Sequence, residues 1–164
     1  MRTDNVWNHA YTLTIDSSPE AIWQAFTDTA NWKRWNPGVV SILAEGPFVT
    51  GSWFTMELPD GDSIRSQLVD VCDGKYFIDE TWVDQTRVVV EHRIEPLSGD
   101  QSRVVYAIST EGPDAQAFGE GISADFPEVI AGLAKYLERL HFSQQPALKT
   151  LQRGFIDSRL RRFY

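Results

Sequence analysis

Asp79, His92 and Tyr106 fall on three successive stretches that alternate like strands: KYFIDETWV (75–83), RVVVEHRIE (87–95) and RVVYAISTE (103–111). A carboxylate beside an imidazole holds one tautomer and raises the histidine pKa, as a general base requires. A tyrosine one strand further can polarise a carbonyl or a phenol. The alternative is a core histidine satisfied by a buried aspartate, with no chemistry attached. Which reading applies depends on whether the strands bring the three side chains to one face.

Hairpin arithmetic puts them there. Asp73-Gly74 reads as a two-residue turn, setting Cys72 opposite Lys75, Asp70 opposite Phe77, Leu68 opposite Asp79 and Ser66 opposite Thr81. The next hairpin turns around Asp84 to Thr86 and keeps Thr81 and Val83 with Val88, Val90, His92 and Ile94. Arg87, Glu91, Arg93 and Glu95 occupy the other face, so the first face is the buried one. Carried one hairpin further, the register adds Val104, Tyr106 and Ile108. The expected interior is aliphatic, with Ser66, Asp79, Thr81, His92 and Tyr106 as its polar groups and Cys72 as a small inward residue.

The elements that must hold this face are legible in order. HAYTLTI (9–15) is a half-buried strand. Ser18-Pro19-Glu20 supplies an N-cap, a first-turn proline and an acid for a helix over 19–27. Asp28-Thr29 caps a second, short helix over 30–35, which Pro37-Gly38 ends. Its Trp32 and Trp35, three apart, share one face. Either they close the end of the core, or Trp35, with Trp53 from SWFTMEL (52–58), walls a pocket. Six strand-like stretches run from residue 39 to 111, the first being VVSILA (39–44), and Gly112-Pro113 ends them. Residues 114–121 fit no single element. Phe126, Ile130, Leu133, Leu137 and Leu140 then repeat at helical spacing over 124–140. Seven antiparallel strands with one apolar face need a cover, and the last helix is the only long one available. The expected fold is α+β, a helix-grip arrangement in the order β-α-α-β6-α with an internal cavity.

Composition removes several function classes. The chain has 164 residues and a net charge of −8, so nucleic acid is not an expected partner. A single cysteine, Cys72, allows no disulfide, and His9, His92 and His141 lack the spacing of metal ligands. No phosphate loop or nucleophile elbow occurs, and no cofactor is implied. Without an apolar run near the ~18 residues a membrane span needs, a cytoplasmic protein is expected. Charge is uneven: residues 1–140 carry 10 Lys/Arg against 22 Asp/Glu, whereas 141–164 carry five basic residues against one acid. The division expected is a domain over 1–141 and a basic amphipathic tail over 142–164. That tail places Leu148, Leu151, Phe155, Leu160 and Phe163 among its cations, and suits docking on the acidic body, a second subunit or another protein.

Over residues 8–140 the sequence resembles the START-like (SRPBCC) superfamily, most closely its polyketide cyclase/dehydrase branch. The resemblance rests on SSPEAIWQAFTD, NWKRWNP, GPFVTGSWF, the PDG turn, EHRIEPLSGDQSRVVYAISTEGP and the final LAKYLER. It implies a deep cavity between sheet and last helix for a small hydrophobic ligand, aromatic, polyketide-like or lipid-like. Trp35, Trp53, Ser66, Asp79, Thr81, Val90, His92, Tyr106, Phe126 and Ile130 are the expected lining. Three functions follow: a binding or carrier protein, a cyclase/dehydrase-type enzyme using His92 and Asp79, or an interaction module acting through the tail.

Overall fold

The computed structural model describes residues 5–143. Its strands are β1 (Val6–Ile15), β2 (Ser41–Ala44), β3 (Trp53–Glu57), β4 (Ser63–Cys72), β5 (Tyr76–Val83), β6 (Thr86–Pro96) and β7 (Ser102–Glu111). They form one antiparallel sheet in the order β1-β7-β6-β5-β4-β3-β2. Strands β2 to β7 follow one another as a meander, while β1 pairs with β7 across the whole chain, Val6 level with Glu111 and Ile15 with Ser102. Helix α1 (Pro19–Thr27) and a 3₁₀ helix (Thr29–Arg34) carry the chain from one sheet edge to the other. Helices α2 (Ala115–Ser123) and α3 (Phe126–Ser143) return over the apolar face. The helix-grip fold is as expected.

Local chemistry accounts for most boundaries. Ser18 Oγ accepts a hydrogen bond from the Ala21 N–H at 3.2 Å, Pro19 opens α1, and Ile22, Ala25 and Phe26 are buried. The second helix is a 3₁₀ turn rather than an α-helix, and Asp28 does not cap it; its carboxylate instead accepts from the Asn31 side chain at 2.7 Å. Residues three apart nearly eclipse in a 3₁₀ helix. Trp32 and Trp35 therefore stay together, with ring centroids 6.1 Å apart.

Two features depart from the sequence reading. The β4–β5 turn is a three-residue loop, with Cys72 level with Tyr76 and Val71 level with Phe77, and Lys75 N–H bonded to the Cys72 carbonyl. A bulge between Leu68 and Asp70 absorbs the extra residue and restores Leu68 opposite Asp79 and Ser66 opposite Thr81. Cys72 is half-buried opposite Tyr76, and the Tyr76 hydroxyl donates to Asp70 at 3.1 Å. The second departure is α2. Gly119 and Gly121 lower the helix propensity of this stretch, and Asp114 before it takes a left-handed φ of 57° with no capping hydrogen bond. Gly119 is needed, because a Cβ there would lie 2.1 Å from the Trp7 ring.

The core runs along the sheet face beneath α3: Phe54, Leu68, Phe77, Val88, Ile94, Val104 and Ile108 meet Ile130, Leu133 and Leu137. Among the described residues no helix is long and apolar enough to cross a membrane. The proposed tail lies, from residue 144 on, outside the described residues.

Helix α3 comes close to the Trp35 loop only because residue 132 has no side chain. A Cβ at Gly132 would stand 2.3 Å from the Trp35 carbonyl oxygen, a backbone atom that cannot rotate away. Gly132→Ala should therefore destabilise the fold by about 1–3 kcal/mol, despite alanine's better helix propensity. Urea unfolding reads this directly; a variant as stable as its parent would mean that helix and loop are not tightly packed.

Candidate functional site

Between the sheet and α2–α3 lies a cavity of about 550 Å³. Its floor is the β5–β7 face, its walls are Trp32, Trp35 and the α3 residues Phe126 and Val129, and its mouth includes Asn36, Asp60 and Asp125. Of the ten residues expected around the ligand, Trp35, Asp79, Thr81, Val90, His92, Tyr106 and Phe126 line it. The other three do not. Trp53 points away because strand alternation gives the core face to Phe54, and the Arg65 guanidinium lies over its ring at 4.1 Å. Arg65 also pairs with Glu45, and Glu80 takes Arg87. Ser66 is buried behind Thr81, their hydroxyls 2.6 Å apart. Ile130 is 1% exposed and packs within the closed core.

Sequence reasoning missed Met56, Phe118, Ile122 and Asp125, all of which line the cavity. Met56 alternates with Phe54 on β3, and Phe118 and Ile122 sit four apart on the unread α2. Those spacings were the available signals. Asp125 had none beyond its position between two helices.

The polar floor differs from the arrangement anticipated for a general base. Asp79 is level with Val90 and His92 with Phe77, so the pair is diagonal rather than opposite. His92 Nε2 stands 3.9 Å from an Asp79 carboxyl oxygen, beyond hydrogen-bond distance. The imidazole is instead stacked on Phe77, ring centroids 4.0 Å apart and 8° from parallel, and meets the Tyr106 ring edge-on at 4.5 Å. Burial therefore governs both groups. It pushes the His92 pKa down to about 3, the reverse of the rise expected from a neighbouring carboxylate. It pushes the Asp79 carboxyl up to about 7. Burial, with the charges of Asp79 and Asp125, also raises the Tyr106 phenol, which keeps its proton at neutral pH.

At neutral pH His92 is thus an uncharged ring and Asp79 is the group able to give or take a proton. Two buried nitrogens, Trp35 Nε1 and His92 Nδ1, have no hydrogen-bond partner among the described residues. Buried polar atoms are rarely left so, and one beside a cavity is available to a ligand. Among the described residues no cluster of His, Cys, Asp or Glu could hold a metal ion.

The two shifts affect stability with opposite signs. Asp79 is at 3.8 when unfolded and about 7 when folded, so stability falls as pH climbs between those values. His92 is at 6.5 when unfolded and about 3 when folded, so its contribution is full above 6.5 and is lost as pH falls. From about pH 4 to 6.5 the slopes, each ~1.4 kcal/mol per pH unit, cancel. Relative to the parent, Asp79→Asn should gain stability with rising pH across this window by about 1 kcal/mol per unit, and His92→Gln should lose it. Urea unfolding at several pH values measures the difference; variant curves parallel to the parent would refute both buried titrations.

The sequence profile described as "Polyketide cyclase / dehydrase and lipid transport" matches residues 7–138. No functionally curated protein matches the chain in sequence. Solved structures match its fold at low identity. A START superfamily protein from Mycobacterium smegmatis superposes with a TM-score of 0.67 at 14% identity, over 81% of this chain and 98% of that one. Norcoclaurine synthase from Thalictrum flavum, in complex with dopamine and hydroxybenzaldehyde, gives 0.64 at 11%, over 82% and 87%. The di-domain ARO/CYC StfQ from the steffimycin biosynthetic pathway gives 0.70 at 14%, over 85% of this chain and 53% of that one. With the profile spanning the sheet and most of α3, the chain belongs to the polyketide cyclase/dehydrase and lipid transport family.

Proposed function

We propose that the protein binds or carries a small hydrophobic ligand, aromatic or polyketide-like, inside the sheet–helix cavity. The observation that carries this reading is the cavity itself. Its volume of about 550 Å³ falls in the range of small-molecule sites, its walls are mainly apolar, and the indole N–H of Trp35 beside it is unpartnered. The aromatic compounds in the norcoclaurine synthase complex support an aromatic ligand, and the family description is compatible with a polyketide or a lipid.

A second reading, a cyclase/dehydrase-type enzyme, is favoured by one observation: a carboxyl with a pKa of about 7 faces the cavity beside a protonated phenol. In that case Asp79, not His92, moves the proton, while Tyr106 donates to a developing oxyanion. Turnover by Asp79→Asn would then fall about 100-fold or more.

Native mass spectrometry of the purified full chain, with solvent extraction, would identify any resident compound. Saturable one-to-one binding of the uncharged probe N-phenylnaphthylamine tests the cavity directly. Val90→Trp, which fills the floor, should abolish that binding while the protein stays folded. Trp35→Phe removes a donor that bonds nothing within the protein, so its stability cost should be only that of the smaller buried ring, about 1–2 kcal/mol, while any ligand presenting an oxygen to the indole is weakened. Probe binding that survives Val90→Trp would place the ligand elsewhere and defeat the proposal.

A further inference from the structure

The charge of the cavity narrows the ligand further. Three aspartates face it, Asp79 on the floor and Asp60 and Asp125 at the mouth, and no lysine or arginine lines it among the described residues. The remaining titratable lining groups are His92, held neutral by burial, and Tyr106, held protonated. No positive charge is in place to receive a carboxylate or phosphate, and the −8 net charge of the chain repels one at longer range. Asp79 itself lies level with Leu68 and Val90. The same cavity carries aromatic side chains: Trp35, Tyr106 and Phe126 line it, while Phe77 is itself stacked on His92 at 4.0 Å and on Trp32 at 6.0 Å. A carboxylate on the floor of a cavity that also holds aromatic rings is the chemistry that recognises an aromatic ammonium compound, through the ion pair first and a ring face second.

We infer that the cavity selects its ligand by charge, taking aromatic compounds that carry a protonated amine, seated against Asp79, and excluding carboxylates of the same shape. The inference rests on the ligand-binding reading above. It has a linked pH dependence, because the ammonium needs Asp79 ionised. The groups that face Asp79 are His92 from β6 and Tyr106 from β7, with Asp125 opposite at the α2–α3 junction. Neither His92 nor Tyr106 changes charge between about pH 5 and 8, since burial moves both away from that range. Asp125, partly buried, is shifted upward, and its ionisation reinforces the same preference.

Calorimetric titration of the full chain with phenethylamine, phenethyl alcohol and hydrocinnamate compares a cation, a neutral molecule and an anion of one shape. At about pH 8 the amine should bind at least tenfold more tightly than the carboxylate. Its affinity should rise at least tenfold between about pH 5.5 and 8 as Asp79 ionises, while the alcohol stays nearly flat. Asp79→Asn should lower the ratio of amine to alcohol affinity about tenfold, and the pH series on the unmodified protein stands without that variant. Equal affinity for amine and carboxylate, or an amine affinity flat with pH, would overturn the charge selection and leave the pocket intact. Failure of all three to bind would overturn the ligand reading and the charge selection together.

Discussion

One helix cannot cover seven strands. At ~4.8 Å between strands the sheet is about 29 Å wide, whereas a helix with its side chains is about 10–12 Å across. Helix α3, 18 residues long, closes the core over part of that face, and the remainder must be roofed by other segments. The 3₁₀ helix brings Trp32 and Trp35 from one side, and α2 brings Phe118 and Ile122 from the other. Because these covers are short and reach in from the margins, they meet over a void. The cavity is thus what an apolar sheet face leaves when its covers are narrower than it is.

The void in turn sets the chemistry of its floor. Asp79 and His92 lie on strands whose other inward residues are, Thr81 apart, mainly hydrophobic, and neither gains a hydrogen bond from the other at 3.9 Å. Burial therefore opposes the charged form of each, at a cost to stability that Asp79 imposes increasingly as pH rises and His92 as pH falls. Residues that destabilise a fold where aliphatic ones would fit are the expected mark of a functional site. Tyr106 completes the same polar island, one strand further along the sheet.

Much of this architecture was legible in the sequence, because Arg87, Glu91, Arg93 and Glu95 declare the outer face of β6 and the hairpins carry that choice to β5 and β7. The Leu68–Asp79 and Ser66–Thr81 pairings were reached through two compensating errors, a turn one residue too short and a bulge not foreseen. Trp53 was misassigned because β3 is only five residues long, too short for its bulky residues to reveal which side is buried. Helix α2 escaped because its two glycines, one of them required by Trp7, mask the helical signal. The protonation states were illegible for a deeper reason. A sequence can place an aspartate near a histidine, but only packing decides whether their mutual attraction or the loss of water prevails.

The pairing of β1 with β7 also shapes how the chain reaches this state. Ladder partners such as Val6 and Glu111 are about a hundred residues apart, while every other strand pair is a neighbour in sequence. Closing so long a loop carries an entropic penalty that local hairpins do not, and non-local pairing of this kind slows folding. During synthesis the meander from β2 onward can zip as it emerges, but β1 must wait, unpartnered, until β7 has left the ribosome. Until β1 docks, the finished meander presents a bare β7 edge open to pairing with another chain. The first strand made is the last to find its place, and its arrival turns an aggregation-prone meander into a finished sheet.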